Sequence, residues 1–316
     1  MHLTQVEQCA KILIMKHYPI DILEFENEFQ TEEQCRDYLM KLRYPGGQYI
    51  CPKCGSDESW KVTGTVFECK NCHHQSTVIA GTLFQDSRKP LSLWFKAIWY
   101  ITSQKNGASA LGLQKLLGLG SYRTAWTWLH KLRRAMIHPG EEFLIGVVEV
   151  GTTFISAPSK DEKRNCDTDN NSLIAVAVEV TQGRIGRSRM SIIENISSQN
   201  LHAFIKSNVE FGSTIVTGGQ NCYSGLSNKG YLLITNKKAK DDKALPPHVY
   251  TVVSLLKNWL LGTPKGSYSK KYLGYYLDEY CFRFNRKNSK SRRKLFHRLL
   301  QNAVHMQPIT DLKSEL

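Results

Sequence analysis

Hydrophobic and polar positions follow two different periods along this chain. Before residue 140 apolar side chains recur at helical spacing, and helices are predicted over 31–43, 92–105, 109–120 and 122–136. After residue 144 short β-branched runs predict strands over 147–155, 173–180, 186–193, 213–217 and 232–234. Helices are predicted over 199–206, 249–261 and 269–285. The pattern therefore predicts an α/β domain behind a mainly helical region.

Four of the nine cysteines form two closely spaced pairs. Cys51 and Cys54 are followed, after fourteen intervening residues, by Cys69 and Cys72. Two Cys-x-x-Cys pairs at this spacing are typical of a zinc ribbon, in which four thiolates surround a structural Zn²⁺. A catalytic zinc is less favoured, because four Cys ligands leave no position for water. The alternative is four unrelated cysteines in a reducing compartment.

A second recognition element is predicted downstream of these cysteines. The short helix over 109–120 ends in a Gly-rich turn, and Ser121 caps the helix over 122–136. Together they are typical of a helix-turn-helix, whose second helix reads DNA. The expected DNA contacts on that helix are Arg123, Lys131, Arg133 and Arg134. An ordinary helical hairpin with a solvated basic face would give the same pattern.

The charge balance favours a polyanionic partner. The chain has 42 Lys and Arg against 28 Asp and Glu, a formal net charge of +14. Cations of this kind bind DNA by releasing counterions from its phosphates. The basic segment 283–298 is expected to contact phosphate or to be disordered. With no signal peptide and no membrane-spanning run predicted, a cytoplasmic protein without a membrane partner is expected.

Ordered motifs between about residue 25 and residue 290 resemble those of zinc-ribbon insertion-sequence transposases, a family with a DDE-type nuclease domain. The motifs include Cys51-Pro-x-Cys54-Gly55, Gly81-Thr82-x-Phe84, Pro90-Leu91-x-x-Trp94-Phe95, Trp259-Leu260-Leu261-Gly262-Thr263 and Phe282-Arg283-Phe284-Asn285-Arg286. The resemblance implies an α/β fold with an N-terminal helical segment and zinc ribbon, a helix-turn-helix, and an RNase H-like mixed sheet flanked by helices. The implied boundaries are a helical lead-in over 1–47, the zinc ribbon over 48–80, a helical DNA-binding region over 81–140, the transposase domain over 141–287 and a basic tail over 288–316.

The family cuts and joins DNA with three side chains that hold two Mg²⁺ ions. Carried over one by one, the first Asp falls on Gly151, the second Asp on Gly218, and the third ligand, usually Glu, on Tyr250. Lys257, seven residues after Tyr250, is retained. Glycine has no side-chain oxygen and a neutral phenol is a poor Mg²⁺ ligand. Mg²⁺ is therefore expected for the family but not for this chain.

These features predict a transposase-family DNA-binding protein whose nuclease centre is inactive. Its expected partner is double-stranded DNA, in particular the terminal inverted repeats of a mobile element, with Arg283 and Arg286 as further contacts. A homo-oligomer is left open. Glu149 is expected to be structural, and His248 is expected to point away from the third ligand position. The alternatives are an active transposase with unconventional ligands and a zinc-ribbon module that binds other proteins.

Overall fold

A computed structural model describes residues 19–63, 65–104, 106–137, 143–156, 171–218, 221–235, 245–262, 270–287 and 293–309. The chain forms two compact units. Unit 1 consists of Met1–Ala135 together with Ser289–Leu316, and unit 2 is Met136–Asn288. Among the described residues no helix combines the length and the apolar character that a membrane span requires.

Unit 1 begins with two helices, α1 (Ile22–Glu28) and α2 (Glu32–Arg43). A capping box fixes the start of α2, because the Thr31 hydroxyl accepts from the Gln34 backbone N–H and the Gln34 side chain accepts from the Thr31 N–H. The predicted apolar face of α2 is buried as expected. It consists of Cys35, Tyr38, Leu39 and Leu42.

A small antiparallel sheet follows, with strand order β1 (Ser59–Thr63), β2 (Val66–Cys69) and β3 (Gln75–Thr77). Its apolar support is thin and centres on the Tyr49 ring, which stacks on Phe67 at a centroid distance of 5.1 Å. So small a core buries too little apolar surface to be stable alone. A sheet of this size therefore depends on a cross-link such as a metal ion.

Three helices complete the N-terminal part of unit 1. They are α3 (Leu91–Ser103), α4 (Ala110–Leu117) and α5 (Tyr122–Ala135). The N-cap of α3 is Pro90, which has no side-chain acceptor. The Glu32 carboxylate takes this role and accepts from the N–H groups of Leu91 and Ser92, both at 2.8 Å. A negative group here also opposes the positive end of the helix dipole.

Unit 2 is built on a five-stranded sheet with the order β6-β5-β4-β7-β8. Its strands are β4 (Val147–Ser156), β5 (Asn171–Thr181), β6 (Arg184–Ile192), β7 (Thr214–Thr217) and β8 (Leu232–Thr235). β5 is antiparallel to β4 and β6, whereas β7 and β8 run parallel to β4. This mixed sheet, with its second strand reversed and its first strand at the centre, is the RNase H-like sheet that the resemblance implies.

Helices cover both faces of this sheet. They are α6 (Ser198–Asn208), α7 (Pro247–Gly262) and α8 (Leu273–Phe284). Val148 and Val150 of β4 pack in the same core as α6, whereas Ile155 packs in the core that contains α7 and α8. Because side chains alternate along a strand, odd-numbered positions of β4 face α7. Gly151, the first expected ligand position, is one of them.

The last helix, α9 (Arg293–His305), folds into unit 1 and corrects an expectation. The sequence predicts a phosphate-contacting or disordered basic tail here. Instead α9 buries Phe296, Leu299 and Leu300, and the Phe296 ring lies 5.6 Å from that of Trp99. The basic segment 283–298 draws attention to charge, but the apolar residues of α9 recur with the 3.6-residue period of an amphipathic helix.

Candidate nucleic-acid interface and nuclease centre

The four paired cysteines lie on two turns with matching geometry. The Gly55 N–H donates to the Cys51 carbonyl at 2.9 Å, and the His73 N–H donates to the Cys69 carbonyl at 3.0 Å. Both Gly55 and His73 have positive φ, 74° and 55°. Gly55 is expected in this conformation. The positive φ of His73 is not predicted from the sequence, because residues other than glycine adopt this conformation uncommonly.

The sulfur atoms of these cysteines converge. Cys51 Sγ lies 3.6 Å from Cys72 Sγ, and Cys54 Sγ lies 3.5 Å from Cys69 Sγ. All four sulfurs are within 4.8 Å of one another. A tetrahedral Zn²⁺ with Zn–S bonds of about 2.3 Å needs sulfurs roughly 3.8 Å apart. The four side chains therefore fit a structural zinc ion.

The ionisation of the thiols also suits a cation. Desolvation opposes the charged form of Cys69, but N–H donors of Cys72 and Asn71 outweigh it and lower its pKa to about 6. The His74 N–H favours the thiolate of Cys72, yet burial and the neighbouring sulfurs raise the pKa of Cys72 to about 12. Four adjacent thiolates cannot all form without a positive ion, and Zn²⁺ would supply that charge.

The region of the predicted helix-turn-helix contains two helices, α4 and α5, joined by a short turn. Gly118 ends α4 in the left-handed conformation, with φ 60°, and α5 begins at Tyr122. On α5 the side chains of Arg123, Lys131 and Arg134 lie within about 80° of one another around the helix axis. Arg123 and Arg134 are exposed and Lys131 is half-buried. These three side chains form a basic face, the α5 basic face.

Arg133 corrects the expected set of DNA contacts. It is 3% exposed, and its guanidinium donates to the Ala108 carbonyl at 3.3 Å. Arg133 comes two residues after Lys131, so its side chain is rotated about 200° around the helix axis from that of Lys131 and points into unit 1. The expectation that Arg133 contacts DNA is therefore wrong, since the side chain holds the helical hairpin together.

The two arginines expected as contacts in unit 2 are also engaged by the fold. Nε and Nη2 of Arg283 lie 2.9 and 2.8 Å from one oxygen of Glu279, which is fully buried. Arg286 packs its guanidinium 4.5 Å above the Phe282 ring and donates to the Phe282 carbonyl. Arg283 is thus committed to a buried ion pair, which a buried carboxylate requires. Arg283 is therefore not open to phosphate, whereas Arg286 is half-buried and stays a predicted contact.

The three degenerate ligand positions all belong to unit 2, where Gly151 lies on β4, Gly218 follows β7 and Tyr250 lies on α7. The parallel pairing of β4 with β7 ends with Glu149 opposite Val216, and Gly151 and Gly218 each come two residues after that last pair. Tyr250 lies in the first turn of α7 and follows Val249, which packs against Gly151. Tyr250 is 64% exposed, and Lys257, two turns further along α7, is exposed on the same side.

The space beside Gly151 is filled by apolar atoms. A Cβ atom at this position would lie 2.7 Å from Leu245 Cδ2, 3.3 Å from Val249 Cγ1 and 3.4 Å from Pro246 Cδ. The first of these distances is a steric overlap. The position lacks a carboxylate, and any side chain there would require the end of the Leu245 side chain to shift.

Glu149 has the structural role that was expected. One carboxylate oxygen accepts from the N–H groups of His248 and Val249 at 2.8 and 3.2 Å, at the N-terminus of α7. The other lies 2.8 Å from Nδ1 of His248, whose Nε2 lies 3.3 Å from the Gly183 carbonyl oxygen. His248 therefore points at Glu149 and the sheet. The pair holds α7 on β4 through charge-assisted hydrogen bonds.

Comparison with known proteins places these features in a family. Residues 30–75 match the transposase zinc-ribbon domain, and residues 143–285 match the ISXO2-like transposase domain. An uncharacterised protein in transposable element ISH50 of Halobacterium salinarum is 27% identical over 141 residues. That match covers 43% of this chain and spans only 46% of the relative.

Two solved structures show a distant likeness. The pre-cleavage Mos1 transpososome matches with a TM-score of 0.31 and 10% identity, over 69% of this chain and 79% of that chain. A Mos1 transposase paired-end complex with the left transposon end matches with a TM-score of 0.22 and 8% identity, over 64% and 79%. The two domain matches together cover more than half of the chain, which belongs to the family of zinc-ribbon transposases with an ISXO2-like transposase domain.

Proposed function

We propose that this chain is a transposase-family DNA-binding protein whose nuclease centre does not cut DNA. The observation that carries the proposal is Gly151, which offers no oxygen ligand and has Leu245 packed where a ligand side chain would stand. Two-metal cleavage of DNA needs carboxylates that bridge the ions and stabilise the attacking and leaving oxygens. A glycine enclosed by apolar side chains can neither bridge the ions nor stabilise these oxygens.

The acidic side chain next to this position does not replace the missing ligand. Both oxygens of Glu149 are engaged by His248 and by the first turn of α7. Within the described parts of unit 2, no group of three His, Cys, Asp or Glu side chains lies close enough to share an ion. Asp241 and Asp242, in a Lys-rich segment of the sequence, lie outside the described residues.

The proposed ligand is double-stranded DNA, with terminal inverted repeats of a mobile element as its natural site. The net charge of +14 and the α5 basic face support this, because neutralised phosphates release counterions. A helix-turn-helix gives the element that would enter the major groove. The zinc ribbon precedes the helix-turn-helix in the sequence, and a bound metal ion would keep the ribbon in one fixed conformation.

A binding titration tests the DNA half of the proposal. Full-length protein is titrated onto a fluorescent duplex that carries the element's terminal repeat, and onto a scrambled duplex of equal length, over a range of salt concentrations. We expect tight binding to both at low salt, a steep loss with salt, and a preference for the terminal repeat. Absence of salt-dependent binding to either duplex would remove DNA as the partner and favour a protein-interaction module.

A further inference from the structure

Unit 1 contains a cleft of about 580 Å³ along the α5 basic face. One wall is the loop 85–89, and the other is formed by Arg123, Thr127 and Lys131 of α5. Pro308 and Ile309, which follow α9, line it as well. We refer to this space as the basic cleft. No motif in the sequence predicts it.

Cations dominate the basic cleft. Arg88 and Lys89 are exposed on the loop, opposite Arg123 and Lys131. Within the described part of the chain, neither Arg88 nor Lys89 forms a salt bridge. Among the described lining residues the carboxylate is that of Asp86, which accepts from the Gln85 side-chain amide at 3.4 Å. Four cations against one carboxylate attract an anionic ligand.

The loop that holds Arg88 and Lys89 is tightly constrained. The Ser87 hydroxyl accepts from the indole N–H of Trp94 at 2.8 Å and from the Lys89 backbone N–H at 3.3 Å. It also lies 3.1 Å from the Lys89 carbonyl oxygen, to which it can donate. Fixed backbone on both sides of Arg88 lowers the entropy that would be lost on binding a ligand.

The floor of the basic cleft argues for phosphate as the group bound there. Trp94 and Trp128 stack on each other with centroids 3.8 Å apart, and they are only 2% and 6% exposed. Neither ring offers an open face on which a base could stack, which is how unpaired nucleotides are usually held. The groups left to bind a ligand are the four cations that line the cleft. Such cations bind phosphate groups of a nucleic-acid backbone.

We propose that the basic cleft holds the sugar–phosphate backbone of one strand of a DNA duplex, with Arg88 and Lys89 as phosphate contacts on the side opposite α5. The inference rests on the proposed DNA-binding function and adds a second contacting element to it. A backbone held between the loop and α5 would fix the register of α5 in the adjacent major groove. Such contacts position a protein on DNA without reading its sequence.

The test compares two double variants of the full chain with equal loss of charge. Arg88→Ala/Lys89→Ala removes the loop cations, and Lys41→Ala/Lys96→Ala removes two exposed cations of unit 1 outside the cleft. Binding to a fluorescent duplex of arbitrary sequence, and to one of its single strands, is measured over a range of salt concentrations. Zinc content and thermal unfolding establish that both variants fold as the wild type does.

We expect the loop variant to lower the slope of log affinity against log salt by about two units on the duplex, and the control variant to leave it near the wild-type value. Equal slopes for the two variants would overturn the inference while leaving the proposed function intact. A loss seen only with the single strand would overturn it too, because the ligand would then be unpaired DNA. If the wild type binds no duplex, the proposed function itself fails.

Discussion

Gly151 lies on β4 with Leu245, Pro246 and Val249 packed against its Cα. Gly151→Ala should destabilise unit 2 by about 1–3 kcal/mol, because the added methyl overlaps Leu245. Gly151→Asp should cost more, since it also buries a carboxylate. The measurement is the free energy of unfolding in urea, and Gly262→Ala is the matched control, because a Cβ there meets nothing within 4 Å. Full stability of Gly151→Asp together with Mg²⁺ binding would show that the pocket is open.

Cys54 tests the zinc assignment at a single ligand. The purified chain should contain one tightly bound Zn²⁺, and Cys54→Ser should release it and disorder roughly residues 48–78, because the ribbon sheet has little core of its own. Metal analysis and protease sensitivity report the two effects. Cys222→Ser, in unit 2, is the control and should keep the zinc. Zinc retained by Cys54→Ser would contradict the assignment.

Local spacing predicts individual residues well where the chemistry is local. The four zinc ligands and the positive φ of Gly55 follow from short motifs whose partners are a few residues apart. The arginines are different, because whether a cation faces water depends on distant partners. The helical period turns Arg133 away from the α5 basic face, but it does not identify the partner, which is the Ala108 carbonyl 25 residues earlier in the chain. Leu245, which fills the space beside Gly151, is 94 positions away from it in the sequence and equally invisible.

Helix α5 carries the proposed DNA contacts on one side and the buried Arg133 on another, and substitutions should separate the two roles. Arg123→Ala/Lys131→Ala/Arg134→Ala should fold normally and lower the salt slope of duplex binding by about three units, one for each lost phosphate contact. Arg133→Ala should instead destabilise unit 1 by about 1–3 kcal/mol, because it leaves the buried Ala108 carbonyl without its donor. Salt-dependent fluorescence anisotropy and urea unfolding measure the two. An unchanged slope in the triple variant would exclude α5 from the interface.

The elements that the sequence predicts are those with one dominant period. Strand β5 and helix α2 are found within two residues of their expected limits, because a strong apolar pattern and good caps agree. The sequence does not predict helix α9, because its first residues, Arg293 and Lys294, continue the Lys- and Arg-rich run that precedes them. Its burial depends on distant elements, as shown by the Leu83 N–H, which donates to the Ala303 carbonyl at 3.0 Å. Strand pairing is likewise non-local, and only the family resemblance anticipates the order of the sheet.

Considered as a whole molecule, the chain should be sensitive to acid in unit 1. Burial lowers the pKa of His130 to about 3 and that of His297 to about 4, with smaller contributions from Arg133 and Arg298. Both histidines are therefore neutral when folded, whereas in the unfolded chain they bind protons below their ordinary pKa of about 6.5. Stability should be complete above that value and fall as the pH drops toward 4.

Urea unfolding of unit 1 at pH values on either side of 6 measures this effect, with zinc in excess so that metal loss does not dominate. We expect a loss of roughly 1–3 kcal/mol toward acid pH. The variant His297→Gln, whose side chain can still form a hydrogen bond with the Tyr38 hydroxyl, should show a smaller loss. An equal loss of unfolding free energy at acid pH in this variant and the wild type would show that His297 does not cause the acid sensitivity.

The central claim is that this transposase-family chain binds DNA but does not cut it. The most direct measurement incubates the purified wild type with duplexes that carry its own flanking terminal repeats, in Mg²⁺ or Mn²⁺, and resolves nicked and joined strands on a denaturing gel. We predict a bound complex and no metal-dependent product, because Gly151, Gly218 and Tyr250 offer no bridging carboxylate. Efficient cleavage by the wild type that Glu149→Gln abolishes would contradict this account and place the active centre on Glu149.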